Sequence, residues 1–164
     1  MFGQWGTVVV AAMCMGVLGC AEAPRGEPNM APASDSTRLL GQLDQHLAQL
    51  TANIDGIAKR LEELRRTPDS TDPVVRELRA LDLMGWELHR EQWRAQRDHL
   101  QFARQQLQRV NTTPGERPAL LDQWARHELV FAPAMEEFRQ QRLTLERQRM
   151  KVESQLIERA LRGL

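Results

Sequence analysis

Tyrosine is absent from this 164-residue chain, lysine occurs only as Lys59 and Lys151, and cysteine only as Cys14 and Cys20. Two thiols, both inside the apolar start, build no disulfide framework, so the folded part has to be held by helix packing alone. No charge sign dominates: 22 basic and 22 acidic residues balance to zero. That excludes a basic stripe for nucleic acid and an excess charge that would select a strongly charged partner. No alternating strand pattern and no internal repeat is present. The catalytic signatures are missing as well: there is no serine elbow, no glycine-rich phosphate loop and no exposed thiol. With no site to build on, we expect neither an enzyme, nor a cofactor, nor a small-molecule substrate.

What is present begins with an uncharged leader. Met1 to Ala21 carries no charged side chain, and its apolar run spans Val8 to Leu18. Eleven residues are too few for a spanning helix, which needs about 20, and suit the hydrophobic part of a signal peptide. Gly16 and Gly19 weaken helix just before Cys20, as an extended segment held by a peptidase requires. A leader usually starts with Lys or Arg; here only the terminal amine is positive. Pro24, Pro28, Pro32 and Gly26 then mark residues 20–35 as an extended tether with a reach of at most ~45 Å.

Three long amphipathic helices follow. From Ser36 to Arg66 the apolar residues Leu40, Leu43, Leu47, Leu50, Ile54, Ile57, Leu61 and Leu64 alternate spacings of three and four. Ser34, Asp35 and Ser36 are N-cap candidates, and Pro68 stops the helix. In a parallel pair of copies the flanking contacts would include Arg60 against Arg65, which repel. Antiparallel packing against the chain's own later helices is therefore expected. The second helix runs from Pro73 to Val110, with Asp72 as N-cap and Pro73 at N1. Val74, Leu78, Leu81, Leu88, Ala95 and Phe102 form one apolar line and Trp86, Trp93, Leu100 and Leu107 another; Gly85, Gln92, His99 and Gln106 lie between them. Thr113-Pro114-Gly115-Glu116 fits a capping box. The third helix reaches Arg162, with a kink or break expected near Pro133. Met135, Phe138, Leu145, Val152 and Leu156 form its stripe, finished by Ile157 and Leu161. The expected fold is all-α, an antiparallel helical bundle or coiled coil over residues 36–164, following a leader at 1–19.

No polar cluster reaches a metal signature. His127-Glu128 opens like a zinc HExxH motif, but Phe131 stands where the second histidine belongs. His89 and His99 do not share a helix face. All four histidines are expected at the surface or at interfaces, and no metal is expected. Glu87 with Arg90, Glu91 with Arg94, Glu62 with Arg66, and Glu158 with Arg162 are helix-spaced ion pairs. Trp and Arg anchor interfaces, so Trp86, Arg90, Trp93, Arg94, Arg97 and Leu100 form the candidate partner-binding stripe; filling of a bundle core is the other reading of the two tryptophans.

Val17-Leu18-Gly19-Cys20 resembles the lipobox of bacterial lipoproteins. That resemblance implies cleavage before Cys20, acylation of its sulfur with fatty chains such as palmitate, and anchoring in a membrane. Ala21 rather than Asp after the cysteine implies the outer membrane, facing the periplasm, with the inner membrane as the alternative. The plan of lipobox, tether and heptads is similar to that of the major murein lipoprotein over about a quarter of the chain, around residues 50–55. The terminal lysine of that family is missing, so peptidoglycan coupling is not implied. Leu143-Thr144-Leu145-Glu146-Arg147 departs from the Leu-Thr-x-x-Gln mark of the Spy/CpxP group, a family the chain resembles in its Arg- and Gln-rich helices. The expected function is a lipid-anchored periplasmic interaction or structural protein that binds another envelope protein or itself. A periplasmic chaperone or envelope-stress sensor is the alternative.

Overall fold

A helix needs an apolar face and ends that satisfy its terminal backbone groups. The computed structural model describes residues 32–162, and residues 33–164 fall in one compact unit. The leader, the lipobox and most of the tether lie outside the described residues. Helix α1 spans Pro32–Arg66, α2 spans Pro73–Thr112, a 3-10 turn spans Pro114–Glu116, and α3 spans Arg117–Arg162. Among the described residues there is no strand, and no helix is long and apolar enough to cross a membrane.

Helix α1 begins at Pro32 rather than near Ser36, so the expected N-caps fall inside it and Asp35 lies in its first turn. A carboxylate there opposes the positive end of the helix dipole, as Arg65 and Arg66 oppose the negative end. Its heptad stripe is turned away from water. Leu43 and Leu61 are 1% exposed, Ile54 and Ile57 are buried beside them, and Leu40, Leu47, Leu50 and Leu64 are half-buried. Each fully buried Leu or Ile contributes about 1.5–3 kcal/mol relative to leaving it in water. The helix stops where Pro68 can no longer donate, with Thr67 turned back through its N–H and hydroxyl onto the Glu63 carbonyl.

Asp72 caps α2 as expected: its backbone is extended and its carboxylate accepts from the Val74 N–H at 2.8 Å, with Pro73 next. The expected capping box at the far end is not made. Thr113 closes α2 instead, sending both its N–H (2.8 Å) and its hydroxyl (3.1 Å) to the Arg109 carbonyl. Glu116 donates its N–H to the Thr113 carbonyl at 3.0 Å while its carboxylate accepts from Arg109. The Glu116 N–H thus goes to the Thr113 carbonyl rather than to its hydroxyl, and the box does not close.

Of the kink or break expected near Pro133, the break does not occur: helix α3 is continuous through the proline. The proline removes the donor for the Leu129 carbonyl, but Leu129, Val130, Ala132 and Pro133 are all exposed, so that carbonyl can turn to water rather than remain buried and unpaired.

Polar contacts fix the helix directions. Asp44 meets Arg104, and Arg65 meets Glu87 at 2.6 Å, so α1 and α2 run antiparallel. His99 meets His127, Asp82 meets Arg149 at 2.8 Å, and Asp72 meets Arg159 at 3.6 Å, so α2 and α3 run antiparallel as well. The middle helix therefore makes ion pairs with both of the others.

Candidate functional site

Two flanks of α2 do different work. One is turned to α1. Arg79 sends one guanidinium nitrogen to the Leu64 carbonyl and another to Asp69 at 2.7 Å, and its side chain is only 17% exposed. Two heptads separate Arg104, bonded to Asp44, from Arg90, and Arg97 lies midway on the same line. Two arginines of the candidate binding stripe, Arg90 and Arg97, thus share a line with a residue already engaged with α1.

The other flank meets α3 through a compact group of rings. His99 is 3% exposed. Its Nδ1 lies 3.1 Å from Nε2 of His127, with the two ring planes 12° apart, so a single proton shared between them makes an in-plane hydrogen bond. Each histidine lies flat on a phenylalanine of the opposite helix: His99 on Phe131 at 3.8 Å and 10°, His127 on Phe102 at 4.0 Å and 24°. Trp124 closes the group, 5.5 Å from His99 and 5.8 Å from Phe102. On the far side of the His99 ring, Nε2 faces Glu128 Oε1 at 3.6 Å, and neither atom has a hydrogen-bond partner. Burial first, and the charge of His127 second, lower the pKa of His99 to about 4, so it is neutral at pH 7. One turn pair further along, Gln106 is also buried, donating to Gln123 at 3.4 Å while its own Oε1 is unpaired.

Nearer the other end of this seam, Gly85 leaves a shallow groove of about 220 Å³ lined by Leu81, Trp86, His89 and Leu145, with Asp82, Arg142, Glu146 and Arg149 around it. A methyl group at Gly85 would touch nothing within 4 Å. Burial, then the Arg142 charge, lowers the His89 pKa.

The structure places the candidate stripe as follows. Trp86 and Trp93 are half-buried and flank the His89 ring, at 6.2 Å and 4.6 Å. Leu100 is half-buried too. Arg90 and Arg94 both reach Glu91, at 3.3 and 3.0 Å, and Arg97 reaches Asp98 at 2.9 Å. The six residues are contiguous along α2 but do not converge on one point. Glu87 does not pair with Arg90, as helix spacing suggested, because Arg65 of α1 takes its carboxylate; the pairs at Glu62 and Glu158 form as expected. Cys20 lies outside the described residues.

Among the described residues no group of three or more His, Cys, Asp or Glu is placed to hold a metal ion. His99 and His127 miss that chemistry because Glu128 approaches the nitrogen of His99 that points away from His127. The histidine pair itself escapes a search for ligand motifs, and His99 is buried rather than at the surface. Its signal was nonetheless in the chain. Both histidines lie fourteen residues from Thr113, at the turn, consistent with their separation of 28, and Phe102 and Trp124 are each eleven residues from it. Comparison of the chain with protein-family models, with curated proteins and with solved structures returns no match.

Proposed function

We propose that the chain is a lipid-anchored helical interaction protein of the cell envelope. In this reading fatty chains on Cys20 fasten it to a membrane, residues 21–31 act as a spacer, and the helices bind another envelope protein or a second copy. The observation that carries the reading is Val17-Leu18-Gly19-Cys20 placed at the end of an uncharged apolar run too short to span a bilayer. Two or more acyl chains anchor stably at ~0.8 kcal/mol per buried CH₂, so no apolar face of the helices is needed for attachment.

The interaction half is supported by apolar side chains that the described helices leave uncovered. Met150, Ile157 and Leu161 are 66%, 61% and 67% exposed and recur at spacings of seven and four on α3. They depart from the stripe through Phe138, Leu145 and Val152, which is half-buried or buried. A run of this kind on a helix surface is the usual mark of a docking face. The same exposed residues favour the chaperone reading as well.

The test has two arms. Cells carrying the chain or its Cys20→Ser variant are labelled with radioactive palmitate; label in the parent alone supports the anchor, and equal label or none removes it. An aggregation assay with an unfolded client then separates the roles. Suppression near equal molar ratio supports the chaperone, whereas no suppression together with one specific pulled-down partner supports the adapter.

A further inference from the structure

We propose that His99, His127 and Glu128 form an acid-released latch between α2 and α3: one shared proton ties the helices while at most one of the two rings is charged, and charge on both rings parts them beside Pro133. The latch stands on the α2–α3 seam and is independent of where the chain is anchored.

The geometry sets the sense of the switch. His99 Nδ1 and His127 Nε2 are 3.1 Å apart, which one proton bridges and two cannot. One added proton goes to an outward nitrogen and leaves that bridge in place; only when both rings are cationic does N–H stand against N–H across the gap. The rings above and below are Phe102, Phe131 and Trp124, which offer no acceptor. Glu128 is the acid that faces the pair from α3, 3.6 Å from Nε2, on the side of the His99 ring away from His127. It can draw His99 toward itself, but it cannot restore the lost bond between the histidines.

Other charges around the pair do not offset this. On α2, Asp98 is engaged by Arg97; on α3, Arg126 is engaged by Asp122. Asp44 level with Arg104 and Arg65 level with Glu87 put residues 49–53 of α1 level with His99, and these are Gln49, Leu50, Thr51, Ala52 and Asn53, all uncharged.

Two residues from Phe131, Pro133 already deprives α3 of one backbone bond, so this is where the helix yields with least loss. The closed seam takes no proton at His99 until about pH 4, while an opened one takes it near the ordinary 6.5. The opening equilibrium therefore rises about tenfold per pH unit across that window. Opening uncovers Phe102, Trp124 and Phe131 together.

Hydrogen exchange of the full-length chain at pH 7, 6 and 5, corrected for the intrinsic rates, tests the latch. Amides of residues 95–106 and 124–131 are expected to lose about tenfold protection per unit while residues 43–61 stay better protected. His99→Phe, which keeps a ring against Phe131 but takes up no proton, is expected to remove the dependence. Protection that is independent of pH, or that falls to one common value in α1 and in the seam, overturns the proposal. So does an unchanged dependence in a folded His99→Phe. Should that variant fail to fold, the ring resonances of His99 in the parent chain decide. A ring still neutral at pH 5 supports the latch; a midpoint near 6.5 ends it.

Discussion

The stripe of α1 and the seam between α2 and α3 reach similar burial by opposite means. The first is aliphatic throughout: Leu43, Ile54, Ile57 and Leu61 leave the solvent with no polar atom among them. The second buries His99 and Gln106 and leaves three of its polar atoms, His99 Nε2, Gln106 Oε1 and Glu128 Oε1, without a hydrogen bond. An unpaired buried polar group costs about 1–3 kcal/mol. The aliphatic stripe is therefore where stability resides, and the aromatic seam is where stability depends on conditions.

The largest effect should come from truncating the stripe. Leu61→Ala removes a side chain that is 1% exposed, with an expected loss of about 2–5 kcal/mol in the free energy of chemical denaturation. A loss below 1 kcal/mol would mean that the two regions do not differ as described. Next comes pH. His99 has a lowered pKa, so its neutral form is favoured by folding; the unfolded chain takes up a proton near 6.5 and the folded chain only near 4. Stability attributable to this residue is present above pH 6.5 and falls as pH drops toward 4, by about 3 kcal/mol in all. Denaturation curves at pH 7.5 and 4.5 measure it. Smaller again is Gln106→Leu. It trades a buried unpaired oxygen for apolar surface and releases Gln123, which is exposed, so the change should lie within about 1 kcal/mol of neutral or favour the fold. Smallest is Gly85→Ala, expected to stabilise by about 0.5–1 kcal/mol through helix propensity, since the added methyl meets open space. Gly56→Ala on α1 has the same open surroundings and should match it in thermal denaturation.

The contrast also explains what could be read from the residues. A stripe of one chemistry with spacings of three and four announces its own burial, and the α1 positions from Leu40 to Leu64 all come out buried or half-buried. Asp72-Pro73 announces its cap for a similar reason, because the side chain and the backbone it serves are two residues apart. The seam was harder. Gly85, Gln92, His99 and Gln106 mark a polar line on a face that looks dry, and helix periodicity alone assigns such a line no partner. His99 becomes intelligible only when the turn at Thr113 is used as a fold line that lays His127 beside it. At Thr113 the Glu116 N–H has two oxygens within reach, and it takes the carbonyl rather than the hydroxyl. Ile157 and Leu161 were misread for another reason. They continue the heptad rhythm of α3, but spacing alone does not show that they leave the face that meets α2.

Arg79 has one further effect. The terminal carbonyls of a helix lack partners of their own, and here the carbonyl of Leu64 is met by a side chain from the second turn of the helix that comes after it. The end of α1 is thus sealed from downstream in the chain, by a cation that also suits the negative pole of the helix. Pro68 and Thr67 stop α1 from within, and Arg79 adds a partner for a carbonyl that these two leave unmet. Through Arg79 the end of α1 and the start of α2 are joined by a side chain as well as by the short link between them.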